Sequence, residues 1–333
     1  MIRAAIIGLG VIGKVHSAAI ESLQNAKLAA VCDTDPSKES AVPAGAVFYT
    51  NYEEMLERER PDVAHICLPH VLHYPAAEKA AESGCNIFAE KPLAMNGEEA
   101  AEYLKLEDRF GVKICLCLQN RLNPATETLY RLLRSGEYGA VTGIRGSVAW
   151  YRSKEYYEAG PWRGKMAQAG GGCMINQAIH TIDLMQYLAG SPVVTVRGST
   201  AQLLDYGLDV EDTAAARFVF ENGASGFFSA SVANYTDENV ELSLRCKRGA
   251  FLLRDKKLFR LRDSGHELLA ADETEFAGKA VYGNSHVKLI DMFYRAVETG
   301  GGWYIHPVEG LPSLKIIDAI RESAKTGKTV RVR

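Results

Sequence analysis

Glu90, Lys91 and Pro92 close an apolar run, Asn86-Ile87-Phe88-Ala89, that reads as a buried strand. Two full charges, followed by a residue that cannot continue a strand ladder, suit a core segment badly. They suit a strand that opens onto a ligand. The proline fixes the backbone from which the lysine emerges. A solvated ion pair beside a turn is the structural alternative. Farther along, Asn176, His180 and Asp183 are spaced by four and three. That spacing predicts adjacent positions on one helix, from about Gly172 to Leu188. The unperturbed imidazole titrates where an alcohol proton can be exchanged at neutral pH. Asn176 can orient that imidazole, and Asp183 can stabilise its cation. A packing histidine is the plain alternative.

Gly8-Leu9-Gly10-Val11-Ile12-Gly13 supplies a different chemistry. The G-x-G-x-x-G pattern alone is weak. Here it follows the first predicted strand, opens the first predicted helix, and is answered about twenty residues later by Asp33 at the end of the second strand. Glycines permit a tight turn and close approach of backbone to a pyrophosphate, and a helix N-terminus offers free N–H groups. The Asp33 carboxylate can accept from both hydroxyls of an adenosine ribose and would repel a 2′-phosphate. Thr34-Asp35 offers no arginine to offset that repulsion, so NAD is expected and NADP disfavoured.

The elements that must carry these residues are legible from periodicity. Up to residue 120, the apolar runs RAAIIG, KLAAVCD, AVFYT, DVAHICLP, CNIFAE and VKICLCLQ alternate with helical stretches. That alternation predicts an α/β domain: a parallel sheet covered on both faces. Ligands of such sheets sit beyond the carboxyl ends of the strands. This is where the glycines, Pro69-His70, Glu90-Lys91-Pro92, and Asn120 with Arg121 fall. From residue 121 to 333 the pattern changes to an α+β domain. Period-two runs such as TAAARFVF, ASGFFSAS and VELSLRC predict a mainly antiparallel sheet, with turns at Glu221-Asn222-Gly223 and Lys247-Arg248-Gly249. The last helix is expected to pack back on the first domain.

With the fingerprint, the E-K-P and a later GGG-x-x-x-N-x-x-x-H-x-x-D over residues 170–183, the chain resembles the glucose–fructose oxidoreductase / inositol dehydrogenase family (Gfo/Idh/MocA) over its whole length. The resemblance implies a catalytic Lys91 that reaches cofactor ribose and substrate hydroxyl. It further implies a Lys91–Pro92 bond that is often cis, and a Glu90 that helps place the cofactor. It puts His180 over the nicotinamide and Trp162 and Arg163 near the cofactor from the second domain. Pro69, His70 and His73 join the expected cofactor set from their place after the fourth strand, although the family more often shows asparagine where this chain has His70. Many members carry aspartate where this chain has Asn176. An amide orients an imidazole but does not stabilise its cation as a carboxylate would, which leaves the proton-carrying role open between Lys91 and His180. The aromatic stretch AWYRSKEYYEAGPWRG (149–164), with Tyr151 and Trp162, is suited to stacking on sugar faces. Lys91, Asn120, Tyr151, Trp162, Asn176 and His180 form the expected substrate set.

The implied activity is an NAD-dependent dehydrogenase acting on a secondary hydroxyl of a sugar, polyol or inositol. The alternatives are an enzyme of this fold that uses NAD without net redox and a non-enzymatic sugar or NAD sensor. A formal net charge of −3 over 333 residues gives no electrostatic reason for nucleic acid or an anionic membrane as partner. The seven cysteines lack paired spacing and mostly lie in apolar runs, which suits buried thiols in a reducing cytoplasm rather than disulfides or zinc. His65, His70 and His73 fall on a strand, a loop and a helix start, so a shared metal is not expected. The N-terminal run is glycine-broken and reads as a strand, not a leader. Family likeness implies a homodimer or homotetramer.

Overall fold

The computed structural model describes residues 1–272 and 285–333. It divides into two units.

The first unit is built on six parallel strands: β1 (Ile2–Ile7), β2 (Ala26–Cys32), β3 (Val47–Tyr49), β4 (Val63–Ile66), β5 (Asn86–Ala89) and β6 (Ile114–Leu116). Their order is β3-β2-β1-β4-β5-β6, with every pairing parallel. Helices α1 (Val11–Glu21), α2 (Tyr52–Glu59), α3 (His73–Glu82), α4 (Gly97–Tyr103) and α5 (Lys105–Phe110) make the crossovers. The central strands are apolar on both faces; all of β4 and β6 is buried. That is the pattern a sheet sandwiched between helices requires. The strand order reverses between β1 and β4, which is the switch point where such sheets bind ligands. The stretch GEEAAEYLKLEDRFG forms two helices rather than one.

The second unit takes Met95–Gly97 and then the chain from Asn120, and contains α6 (Pro124–Arg134), β7 (Val141–Ala149), α7 (Lys154–Glu158), α8 (Met166–Ala169), α9 (Cys173–Asn176) and α10 (Ile179–Ala189). Strands β8 (Val193–Ala201), β9 (Thr213–Phe220), β10 (Ser225–Ser231), β11 (Glu241–Cys246), β12 (Gly249–Arg254), β13 (Lys257–Arg262) and β14 (Gly265–Ala271) follow. The predicted turns join β9 to β10 and β11 to β12. The sheet order is β14-β13-β12-β11-β7-β10-β9-β8-β15, where β15 is Val330–Arg331. All its pairings are antiparallel except that of β10 with β7. β10 shows the period-two logic: Gly226, Phe228 and Ala230 are buried, while Ser225 and Phe227 face outward. Helix α10 lies on β7 so closely that a Cβ at Gly146 would come within 2.6 Å of the Met185 sulfur.

Two helices end the chain, α11 (Ser285–Thr299) and α12 (Leu311–Thr326). Helix α11, not the last helix, belongs to the first unit, whereas α12 belongs to the second. Phe293 and Tyr294 of α11 are fully buried; Phe293 meets Phe88 of β5, and Tyr294 meets His65 of β4.

Candidate functional site

The glycine turn after β1 has little freedom. Gly8 has φ +98°, and a Cβ there would sit 2.4 Å from the Cys67 carbonyl oxygen at the end of β4. A Cβ at Gly13 would sit 2.0 Å from the Gly8 carbonyl oxygen, so α1 meets the turn backbone to backbone. A Cβ at Gly10, by contrast, would have nothing within 4 Å. Helix α1 starts there without a side-chain cap and without an acidic residue in its first turn. Its leading N–H groups, at Val11 and Ile12 among others, are therefore left for an anion.

Asp33 follows β2. Its Oδ2 accepts from the Leu9 N–H at 2.8 Å, and its Oδ1 from the Asp35 N–H at 3.0 Å. Lys38 Nζ also donates to Oδ2, at 2.8 Å. Thr34-Asp35 offers no arginine beside Asp33, but the fold supplies Lys38. The signal lay in Asp35-Pro36-Ser37: Asp35 caps a short 3-10 turn by accepting from the Ser37 N–H at 3.0 Å, and that turn brings Lys38 back. A dinucleotide fits the combination of glycine cradle, uncapped helix start and acidic residue.

The Lys91–Pro92 peptide is cis. His73, at the start of α3, has Nδ1 2.8 Å from the Pro92 carbonyl oxygen and Nε2 2.8 Å from the Leu68 carbonyl oxygen. It is 1% exposed, so its ring ties the loop after β4 to the E-K-P segment. Pro69 caps the turn over His70–Leu72, and His70 is buried. Lys91 is half-buried at the strand end. Burial lowers its proton affinity, opposed by the charge of Glu90. Glu90 is buried, and its Oε2 accepts from the Lys91 N–H at 3.2 Å.

In the second unit the predicted single helix is two. Helix α9 ends at Asn176, the chain breaks over Gln177–Ala178, and α10 starts at Ile179. The start of α9 is tied to Glu211. Glu211 accepts from the N–H groups of Gly172 at 3.1 Å and Met174 at 3.3 Å, and a Cβ at Gly172 would lie 1.8 Å from the Glu211 carbonyl oxygen. Asn176 and His180 are half-buried. The Asn176 amide donates to the Tyr156 hydroxyl at 3.5 Å, beside Gln177 at 3.2 Å. The four-residue spacing therefore does not make Asn176 a same-helix partner of His180.

Asp183 lies on α10, as His180 does. It takes a two-point hydrogen bond from Arg121, Nε to Oδ2 at 2.8 Å and a terminal nitrogen to Oδ1 at 2.6 Å, with both side chains buried. The Arg121 guanidinium also lies 4.6 Å from the centre of the Tyr187 ring. Asn120 stands in the turn Gln119–Leu122.

Tyr156, which was not singled out within the aromatic stretch, is the centre of that loop. Arg163 lies over its ring at 4.7 Å, and Arg152 at 5.5 Å. Arg163 also lies 5.1 Å from the Trp162 ring. Tyr151 is exposed, and its N–H donates to Asp237 Oδ1 at 2.8 Å.

Residues 2–116 match the oxidoreductase family described as an NAD-binding Rossmann fold, and residues 126–252 match the GFO/IDH/MocA C-terminal domain. D-glucoside 3-dehydrogenase of Escherichia coli is 27% identical over 359 aligned residues, covering 99% of this chain and 97% of that protein. The scyllo-inositol 2-dehydrogenase (NAD+) of Bacillus subtilis is 30% identical over 241 residues, covering 69% of this chain and 67% of its own. Among solved structures, the WlbA dehydrogenase of Bordetella pertussis, in complex with NADH and UDP-GlcNAcA, has a TM-score of 0.84 at 28% identity and covers 100% of this chain and 99% of its own.

Proposed function

The chain belongs to the Gfo/Idh/MocA oxidoreductase family, and from that premise we propose that it oxidises a secondary hydroxyl of a sugar, polyol or inositol with NAD, or reduces the corresponding ketone. One observation carries the reading. The same unit holds a glycine cradle with an uncapped helix start, Asp33 at the end of β2, and a lysine of lowered proton affinity at the end of β5.

NAD, when bound, supplies the hydride acceptor. Gly8, Gly10, Val11, Ile12 and Gly13 hold its pyrophosphate, and Asp33 its adenosine ribose. Pro69, His70, Glu90, Trp162 and Arg163 complete the surroundings, with His73 acting through the loops it ties. Lys91 as the free amine takes the hydroxyl proton, and burial favours that uncharged form. His180 hydrogen-bonds the hydroxyl, and Asn120, Tyr151, Trp162 and Asn176 contact the rest of the substrate.

Cofactor choice is testable at once. NADH is expected to bind more tightly than NADPH, because Asp33 bonds ribose hydroxyls and opposes a phosphate. Asp33→Ala should weaken NADH binding about 10- to 100-fold, the worth of hydrogen bonds to a charged group. Lys38 is a third exposed, so Lys38→Ala should reduce residual NADPH affinity by no more than about fivefold, the scale of an exposed ion pair. Fluorescence titration reads all three. Equal affinities for both cofactors in the native protein would remove Asp33 from the role.

The outward face of the second sheet, with Phe227 and Leu268 exposed, supports a homodimer or homotetramer. All seven cysteines are free and buried, which supports a cytoplasmic setting. Among the described residues, no helix is long and apolar enough to cross a membrane.

A further inference from the structure

Behind Glu90 the core of the first unit contains a row of titratable side chains, His16, His65 and Tyr294, that the reaction above does not use. Glu90 Oε1 lies 3.0 Å from His16 Nε2. His16 Nδ1 lies 2.9 Å from His65 Nδ1, and His65 Nε2 lies 2.6 Å from the Tyr294 hydroxyl. The four residues come from the end of β5, α1, β4 and α11, and none is more than 5% exposed. The other groups facing them are Cys67, whose Sγ is 3.4 Å from His16 Nδ1, His286 of α11, whose Nε2 is 3.7 Å from Glu90 Oε1, and Cys117 beyond β6.

Donor and acceptor rules leave one arrangement for an ionised carboxylate and neutral imidazoles. The carboxylate only accepts, so His16 carries its proton on Nε2. His16 Nδ1 then accepts, so His65 carries its proton on Nδ1. His65 Nε2 accepts in turn, so the Tyr294 hydroxyl donates. Every bond in the row points toward Glu90. The charge assignment agrees with the surroundings. Burial opposes ionisation of Glu90, but the hydrogen bond from His16 and the nearby His286 imidazole bring it well below the usual carboxylate range. Burial lowers His16, and lowers His65 further.

We propose that His16, His65 and Tyr294 form a directed hydrogen-bond chain that holds Glu90 ionised beside Lys91 and so sets the pH at which Lys91 gives up its proton. The four are positioning residues. Their effect on the reaction rests on the reading of Lys91 as proton acceptor, whereas the chain itself does not. Reversing every bond needs a protonated Glu90, because a carboxylate has no hydrogen to donate; the Tyr294 hydroxyl, by donating to His65 Nε2, polarises the His65 and His16 N–H groups toward that carboxylate. Without the hydroxyl the donated bonds along the row weaken, the Glu90 carboxylate is held less firmly in its ionised form, and Lys91 loses part of the support for its ammonium form.

Two measurements on the full chain test this. Long-range proton–nitrogen correlation of histidine-labelled protein, assigned with His65→Leu, should show neutral His65 protonated on Nδ1 and neutral His16 protonated on Nε2. Either ring in the opposite tautomer, or as the cation at neutral pH, overturns the chain. The kcat/KM profile for oxidation should shift its acidic limb to lower pH by about 1 unit or more in Glu90→Gln, since an opposite charge at 4–6 Å is worth about 1–3 pKa units. Tyr294→Phe, which keeps the ring, should move it in the same direction by less, with the KM for NAD little changed. An unmoved limb in Glu90→Gln overturns the link to Lys91, and one that moves in Glu90→Gln but not in Tyr294→Phe overturns the chain's part in it. A stoichiometric metal ion in the purified protein would also overturn the proposal, because ligand atoms of His16, Glu90, Cys117 and His286 lie within 4.8 Å of one another and a metal would replace the proton between His16 and Glu90. If Lys91→Met retains full turnover, the catalytic reading fails, and the tautomers still decide the chain.

Discussion

Lys91→Met is expected to lower kcat by roughly 10²-fold or more, the usual contribution of a positioned acid–base group. Methionine keeps an unbranched stem of similar length, so the packing of the half-buried strand end is conserved while the amine is lost. The Glu90 hydrogen bond from the backbone N–H of residue 91 does not depend on the side chain. NADH affinity, measured by titration on the same preparation, should change much less than kcat. In the native protein, oxidation should fall as pH drops and Lys91 takes up a proton. Because burial lowers its proton affinity, that limb should lie below the range of an ordinary lysine, about 10.4. A methionine variant with near-native kcat would take Lys91 out of the mechanism.

Asp183→Ala is expected to destabilise the second unit by about 3–5 kcal/mol, the cost of leaving one partner of a buried ion pair uncompensated. The two hydrogen bonds from Arg121 are short, and the side chains are 6% and 4% exposed, so water cannot replace the lost carboxylate. The loss is comparable with much of the total stability of an ordinary domain, about 5–15 kcal/mol. Replacing both partners with apolar residues should recover most of it, because the penalty lies in the orphaned guanidinium rather than in the pair's net worth. Urea denaturation of the two single variants and the double variant reads this directly. A single-variant loss below about 1 kcal/mol would mean that the pair behaves as a surface one.

What the sequence disclosed was local. The glycine turn, Asp33 and the strand end at Glu90 each sit in a short pattern whose periodicity and punctuation name the element. The six strands of the first sheet follow from apolar runs that need burial on both faces. The second sheet was legible as mainly antiparallel because its strands alternate by two. What was hidden depends on partners far apart in the chain. Helix α11 joins the first unit through Phe293 and Tyr294, which meet strands more than 200 residues earlier. The break over Gln177–Ala178 interrupts a four-residue spacing that reads as one continuous helix, and no helical periodicity reports it. Arg121 claims Asp183 from 62 residues away. Lys38 was the exception: its approach to Asp33 follows from an aspartate-capped turn that could have been read.

The most direct test of the dehydrogenase assignment is to incubate the protein with NAD and a panel of sugars, polyols, inositols and nucleotide sugars, following absorbance at 340 nm and the mass of the product together. The expected result is a product two mass units lighter than its substrate, formed one for one with NADH and lost in Lys91→Met. Conversion to a product of unchanged or hydrolysed mass with no NADH accumulating would contradict it, and would assign the chain to chemistry without net redox.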